Sequence, residues 1–146
     1  ALAGEELLEG EGTLLDVGSG AGFPGVQLLE ARPRWSGVHL EPRKKRRAFL
    51  KMDIRELELD ARADDRRYDE LPATERFDLI SSRAVGDHRT LLRWARSHLN
   101  EGGGVALWTT VDGESEVSGE PDWRVLSWPL VGLDRGRLVS LRKRST

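Results

Sequence analysis

Residues 13–25, Thr-Leu-Leu-Asp-Val-Gly-Ser-Gly-Ala-Gly-Phe-Pro-Gly, leave few folds open to this chain. A short apolar run reaches Asp16-Val17 and breaks at once into Gly18, Gly20 and Gly22 at alternate positions. An apolar run of this length, bounded by turn residues, predicts a buried strand. The glycines permit φ > 0 and let the backbone approach a ligand closely. Val26, Leu28, Leu29 and Ala31 then recur at helical spacing before Arg32-Pro33. Strand, glycine turn and helix form the nucleotide-binding corner of an open α/β sheet, where ligands lie beyond the carboxyl ends of the strands.

Two ligand classes use such a corner. A dinucleotide rests its pyrophosphate on the helix N-terminus. Gly20, Gly22 and Gly25 fit G-x-G-x-x-G, and Glu41 lies about the expected 20 residues further on. S-adenosylmethionine carries no phosphate but has a sulfonium and an ammonium. Asp16 beside the turn suits that cationic ligand and repels a pyrophosphate, so S-adenosylmethionine is the expected cofactor. Asp16 would hold its amino end through the turn Gly18-Ser19-Gly20. A glycine turn that binds nothing is the plain alternative, and a carboxylate with three glycines is a poor choice for a mere connection.

The rest of the chain alternates strands and helices. Gly37–Glu41 reads as a second strand, and Glu41 at its end is placed to accept from both ribose hydroxyls. Pro42 opens a second helix in its early turn, with Ala48, Phe49 and Met52 as its apolar stripe. Its basic run, including Lys44, Lys45 and Arg46, is either a solvated face or a phosphate-facing patch. Leu57–Ala61 alternates and predicts a short third strand. In the adjoining Arg62–Asp65, Asp64 could accept from the exocyclic amine of adenine, although a charged loop is the better reading of these residues taken alone. Residues 66–76 predict a loop or one helical turn.

Phe77–Ser82 predicts the fourth strand. It runs into Arg83, whose planar fork suits the cofactor carboxylate, an RNA phosphate or a structural ion pair. Asp87 caps a helix reaching Leu99, with His88 and His98 on its polar face. Gly104–Thr109 predicts the fifth strand, 111–121 a mobile loop, and 123–128 with 138–142 a closing antiparallel hairpin. Arg142-Lys143-Arg144 reads as a solvated tail.

Composition narrows the chemistry. The 146 residues suit one domain over 1–146, with 1–12 as an acidic lead-in. There is no cysteine, which excludes disulfides, thiolate zinc sites and cysteine nucleophiles. Neither His88 nor His98 has a partner at metal-ligand spacing, so no metal is expected. A net charge of −2 gives no global pull toward nucleic acid, so RNA contact must come from a local patch. No apolar run approaches about 18 residues, so the expectation is a cytoplasmic protein, off the membrane and monomeric.

The residues resemble a known family. Leu14–Gly25, with its Gly-Phe-Pro-Gly ending, is similar to the cofactor motif of the RsmG (GidB) methyltransferases. Leu40-Glu41-Pro42 with Lys45-Arg46 and Phe49-Leu50, Arg62–Asp65, and Phe77-Asp78 through Ser82-Arg83-Ala84 resemble further family segments in the right order. The resemblance covers roughly 14–107. It implies a three-layer, Rossmann-like class I S-adenosylmethionine-dependent methyltransferase fold, with a mostly parallel sheet and a C-terminal antiparallel hairpin. It implies methylation of guanine N7 in small-subunit ribosomal RNA, and cofactor contacts from Gly18, Phe23, Ala63, Asp64 and Arg83. The chain departs from the family in two places. About a dozen residues stand where the family has an N-terminal helical segment, as in a short or truncated form. Trp108-Thr109-Thr110 also replaces the family's Leu-Lys-Gly. Both departures weaken RNA engagement more than cofactor binding.

Guanine N7 offers a lone pair without first losing a proton, so no catalytic acid or base is expected beyond Arg83 as a positioning group. Two other readings compete. One is a cofactor-binding module with no turnover alone. The other is an NAD-binding domain, which no Tyr-x-x-x-Lys pair supports, Tyr68 being the only tyrosine.

Overall fold

The computed structural model describes residues 7–18, 24–83 and 87–144. Seven strands form one sheet in the order β3-β2-β1-β4-β5-β7-β6. They are β1 Gly12–Val17, β2 Trp35–Leu40, β3 Ala61–Asp64, β4 Phe77–Arg83, β5 Leu99–Thr110, β6 Trp123–Pro129 and β7 Gly136–Lys143. The first five pair in parallel, while β7 runs antiparallel between β5 and β6. The helices are α1 Gly25–Ala31, α2 Lys44–Glu56, α3 His88–Arg96 and α4 Val111–Val117.

Alternate side chains of each strand reach opposite faces, so Leu14 and Leu15 enter different cores. Leu14, Leu79, Ala106, Trp108 and Leu138 pack with Leu28 and Leu29 of α1. Leu15, Ile80, Val105, Leu107 and Val139 pack with Leu91, Leu92 and Ala95 of α3 and Val117 of α4. A sheet covered on both faces needs strands apolar on both sides, and β1, β4 and β5 are that. The expected three-layer fold and the antiparallel end of the sheet are both present.

Asp87 caps α3 as expected: its Oδ1 accepts from the Arg89 and Thr90 amides at 3.0 and 3.2 Å. The short helical element in 66–76 is a 3-10 turn, Tyr68–Glu70.

Several local expectations are corrected. Of Leu57–Ala61 only Ala61 is strand. Helix α2 continues to Glu56, and Glu58 adopts φ +52° to end it, with the Leu59 amide donating back to Ile54 O at 3.0 Å. The third strand therefore starts at Ala61. Pro42 lies before the α2 cap residue Arg43 rather than in its first turn. The expected apolar stripe of α2 is not core: Phe49 is 56% exposed, Met52 is exposed, and Leu50 is the residue buried. Residues 111–117 form α4 instead of a loop. Thr110 caps it, and Gly113 packs where an added Cβ would strike Thr109 Oγ1.

His88 and His98 are buried rather than on a polar face. His88 Nε2 lies 3.1 Å from Thr109 Oγ1. His98 lies just past the end of α3 and stacks on Trp94 with ring centroids 4.0 Å apart. Arg142 and Lys143 are strand residues of β7, not a tail.

Candidate cofactor site

Strand register brings the predicted residues to one edge. Val17, Leu40 and Asp64 are successive Cα partners across β1, β2 and β3, and Val17 also pairs with Ser82 of β4. Gly18, Glu41, Asp64 and Arg83 therefore end four adjacent strands within about one residue of a common line. That line crosses the switch point between β1 and β4, where chain order reverses and open α/β sheets bind ligands. Gly18 adopts φ +67°, the left-handed turn expected of a glycine there. Ser19, Gly20 and Phe23 lie outside the described residues.

Asp16 sits deeper than its neighbours along this edge and is 1% exposed. Its Oδ1 accepts from Ser81 Oγ at 2.7 Å, and its Oδ2 lies 3.4 Å from His39 Nδ1. The three residues share a row, because Asp16 pairs in register with both His39 and Ser81. Gly25, the first residue of α1, closes over them. A Cβ there would strike the Asp16 carboxylate and come within 2.7 Å of His39 Cε1. A buried carboxyl group needs such partners. Asp16 thus lies directly beneath the start of α1.

Glu41 is fully buried, and its carboxylate is held from the rim. Its Oε2 accepts from the Arg43 amide at 2.9 Å and from Arg43 Nε at 3.3 Å; Oε1 accepts from Nη2 at 3.3 Å. Arg47 Nη1 donates to the carbonyls of Glu41 and Pro42, each at 3.1 Å. These bonds fix the bend after β2.

Asp64 ends β3 and binds Arg66 at both oxygens. Its Oδ2 accepts from Nη2 at 2.7 Å, and its Oδ1 from the Arg66 amide at 2.9 Å. The side-chain bonds from Arg66 hold the Asp64 carboxyl below the usual carboxylate range against a smaller opposing effect of burial. Ala63, one residue deeper, pairs with His39. Arg83 is exposed at the end of β4, beside Trp108 of β5. Lys44, Lys45 and Arg46 are exposed on the first turn of α2, immediately after the Glu41 bend.

Sequence reasoning missed His39, Ser81, Arg43 and Arg66. His39 and Ser81 carried a signal: each is a polar residue at the same depth from the carboxyl end of an apolar strand as Asp16. The two arginines carried none, since i+2 partners in charged turns are commonplace.

The sheet order, the parallel register and the edge at β1 and β4 define a class I S-adenosylmethionine-dependent methyltransferase fold. Solved structures agree. An rRNA methylase from Streptococcus thermophilus superposes with a TM-score of 0.76 over 97% of this chain and 92% of its own, at 16% identity. The apo methyltransferase SibL gives 0.78 over 98% of this chain and 53% of its own, at 18% identity. Within that class the chain belongs to the GidB family, rRNA small subunit methyltransferase G, whose model matches residues 1–122. The ribosomal RNA small subunit methyltransferase G of Laribacter hongkongensis is 34% identical over 97% of this chain and 70% of its own length. That of Thermobifida fusca is 37% identical over 77% of this chain, which spans 48% of it.

Proposed function

We propose that this chain binds S-adenosylmethionine along the β3-β2-β1-β4 edge and methylates guanine N7 in small-subunit ribosomal RNA. The family match over 1–122 carries the reading. The residues present fit the cofactor. Gly18 turns at φ +67°, and Gly25 has no room for a side chain. Four strand ends about 4.8 Å apart give an edge of roughly 14 Å, which suits an extended nucleoside with an amino-acid tail.

In this reading Glu41 accepts from the ribose hydroxyls with the carboxylate that Arg43 fixes in place. Asp64, beside Ala63, faces adenine. Gly18 takes the amino-acid end, with Ser19, Gly20 and Phe23 as further contacts, and Asp16 acts from beneath rather than by direct contact. When bound, the cofactor supplies an electrophilic methyl group on sulfur. Guanine N7 has an in-plane lone pair and no proton, so the protein moves none. Its work is alignment, which can supply a large share of a methyl-transfer barrier. Arg83 positions an anionic group, either the cofactor carboxylate or an RNA phosphate. Lys44, Lys45 and Arg46 approach the RNA backbone beside the site.

Calorimetric titration with S-adenosylhomocysteine and NAD in parallel, then labelled-methyl transfer to small-subunit RNA, tests this. S-adenosylhomocysteine should bind, NAD should not, and label should appear at guanine N7. NAD binding alone would overturn the assignment. Cofactor binding without transfer would leave the binding-module reading.

A further inference from the structure

The carboxyl edge is not the only place where this chain concentrates cations. Arg124 of β6 and Arg142, Lys143 and Arg144 at the end of β7 line a cavity of about 450 Å³, with no carboxylate among its described lining residues. Arg124 and Arg142 are direct Cα partners across the antiparallel pair. Like charges in that relation repel. No ion pair offsets this: among the described residues none of the four lies within 4.0 Å of a carboxylate oxygen. Asp122 pairs with Arg96 at 2.7 Å, and Arg142 also lines a second recess together with Glu9, Glu11, Asp78 and Glu101.

Main-chain carbonyls hold three of the four cations instead. Arg142 Nη1 donates to Gly102 O at 3.3 Å, Lys143 Nζ to Arg96 O at 3.2 Å and Arg144 Nε to Trp123 O at 3.3 Å. The glycine run on β5 makes the lane for Arg142: a Cβ at Gly104 would come within 3.0 Å of its Cδ. The guanidiniums of Arg142 and Arg144 keep further N–H donors, because each has five and uses one here. Neutral carbonyls orient the charges without cancelling them, and an anion between them would relieve the Arg124–Arg142 repulsion.

We propose that this hairpin end is a second phosphate-binding site, which grips the sugar–phosphate backbone of structured RNA away from the methyl-transfer edge. Arg142 pairs with Gly104 near the amino ends of the parallel strands, while the cofactor edge lies beyond Ser82 and Leu107. Strand rise and spacing separate the two by about 20 Å. One RNA could therefore touch both, with the hairpin setting its orientation. That the anion is RNA rests on the proposed function; the anion site itself rests on the charge arrangement.

The test is binding of a labelled small-subunit RNA fragment to the 146-residue chain across a salt series, for wild type, Arg124→Gln and Arg124→Gln/Arg142→Gln. S-adenosylhomocysteine calorimetry on each reports the fold and the cofactor edge. The double variant should bind RNA at least 10-fold more weakly in low salt. The slope of log affinity against log salt should fall by about 1 to 2, with cofactor affinity unchanged. The single variant, at an exposed position, should show part of both effects. If wild type binds RNA and both variants match its affinity and slope, the second site is refuted while the proposed function stands. If wild type holds the cofactor but no RNA, both readings fall.

Discussion

Gly25→Ala sets two well-characterised effects against each other. Within a helix, Gly to Ala is favourable by at most about 1 kcal/mol. Here the new methyl group would strike Asp16 Oδ2 and lie 2.6 Å from Asp16 Cγ and 2.7 Å from His39 Cε1. Neither neighbour gives way easily. Asp16 is held by Ser81 Oγ at 2.7 Å, and both Asp16 and His39 are buried. Overpacking of this kind costs about 1–3 kcal/mol. The clash should win, leaving a net loss of about 1–2 kcal/mol. In a domain of this size that lowers Tm by roughly 3–6 °C. Thermal and urea melts measure it. A double-mutant cycle supplies the control: in an Asp16→Ala background only the His39 contact remains, so the penalty should shrink. A more stable Gly25→Ala protein, or an equal penalty in both backgrounds, would refute the packing of α1 on Asp16.

The same geometry sets three further outcomes. Ser81→Ala removes the 2.7 Å hydrogen bond to the buried Asp16 carboxylate and should destabilise by about 1–3 kcal/mol in urea melts, with weaker S-adenosylhomocysteine binding. Glu41→Gln should cut S-adenosylhomocysteine affinity about 10-fold by calorimetry, since one acceptor oxygen becomes a donor; an unchanged affinity would remove Glu41 from the ribose site. Arg66 lowers the pKa of Asp64 in the folded chain, so this pair stabilises the protein above the usual carboxylate pKa. That contribution disappears as pH falls through the lowered value, and Arg66→Gln should flatten the acid limb of stability against pH. An identical acid limb in the variant would count against the pair.

Much of the site was legible in the sequence because it rests on local chemistry. A strand that breaks into glycine must turn, and Gly18 does so with φ +67°. Asp87 caps the start of α3, since a short acidic side chain before an apolar helix has free amides to accept from. Errors arose where tertiary packing overrode a local pattern. The alternation in 57–61 mimics a strand, but α2 had not ended, and the left-handed Glu58 ends it. The polar 111–117 gave no helical signal, yet Gly113 and Val117 are buried by packing against the sheet.

By itself, the sequence determined the strand–turn–helix corner, the order of the elements and the acids that end the strands, because each depends on residues within a few positions. Only the tertiary structure decided that Asp16 would be buried between His39 and Ser81, 23 and 65 positions away, and that Arg124 and Arg142 would face each other across a hairpin. Those pairings depend on strand register, which the packing of both sheet faces sets together.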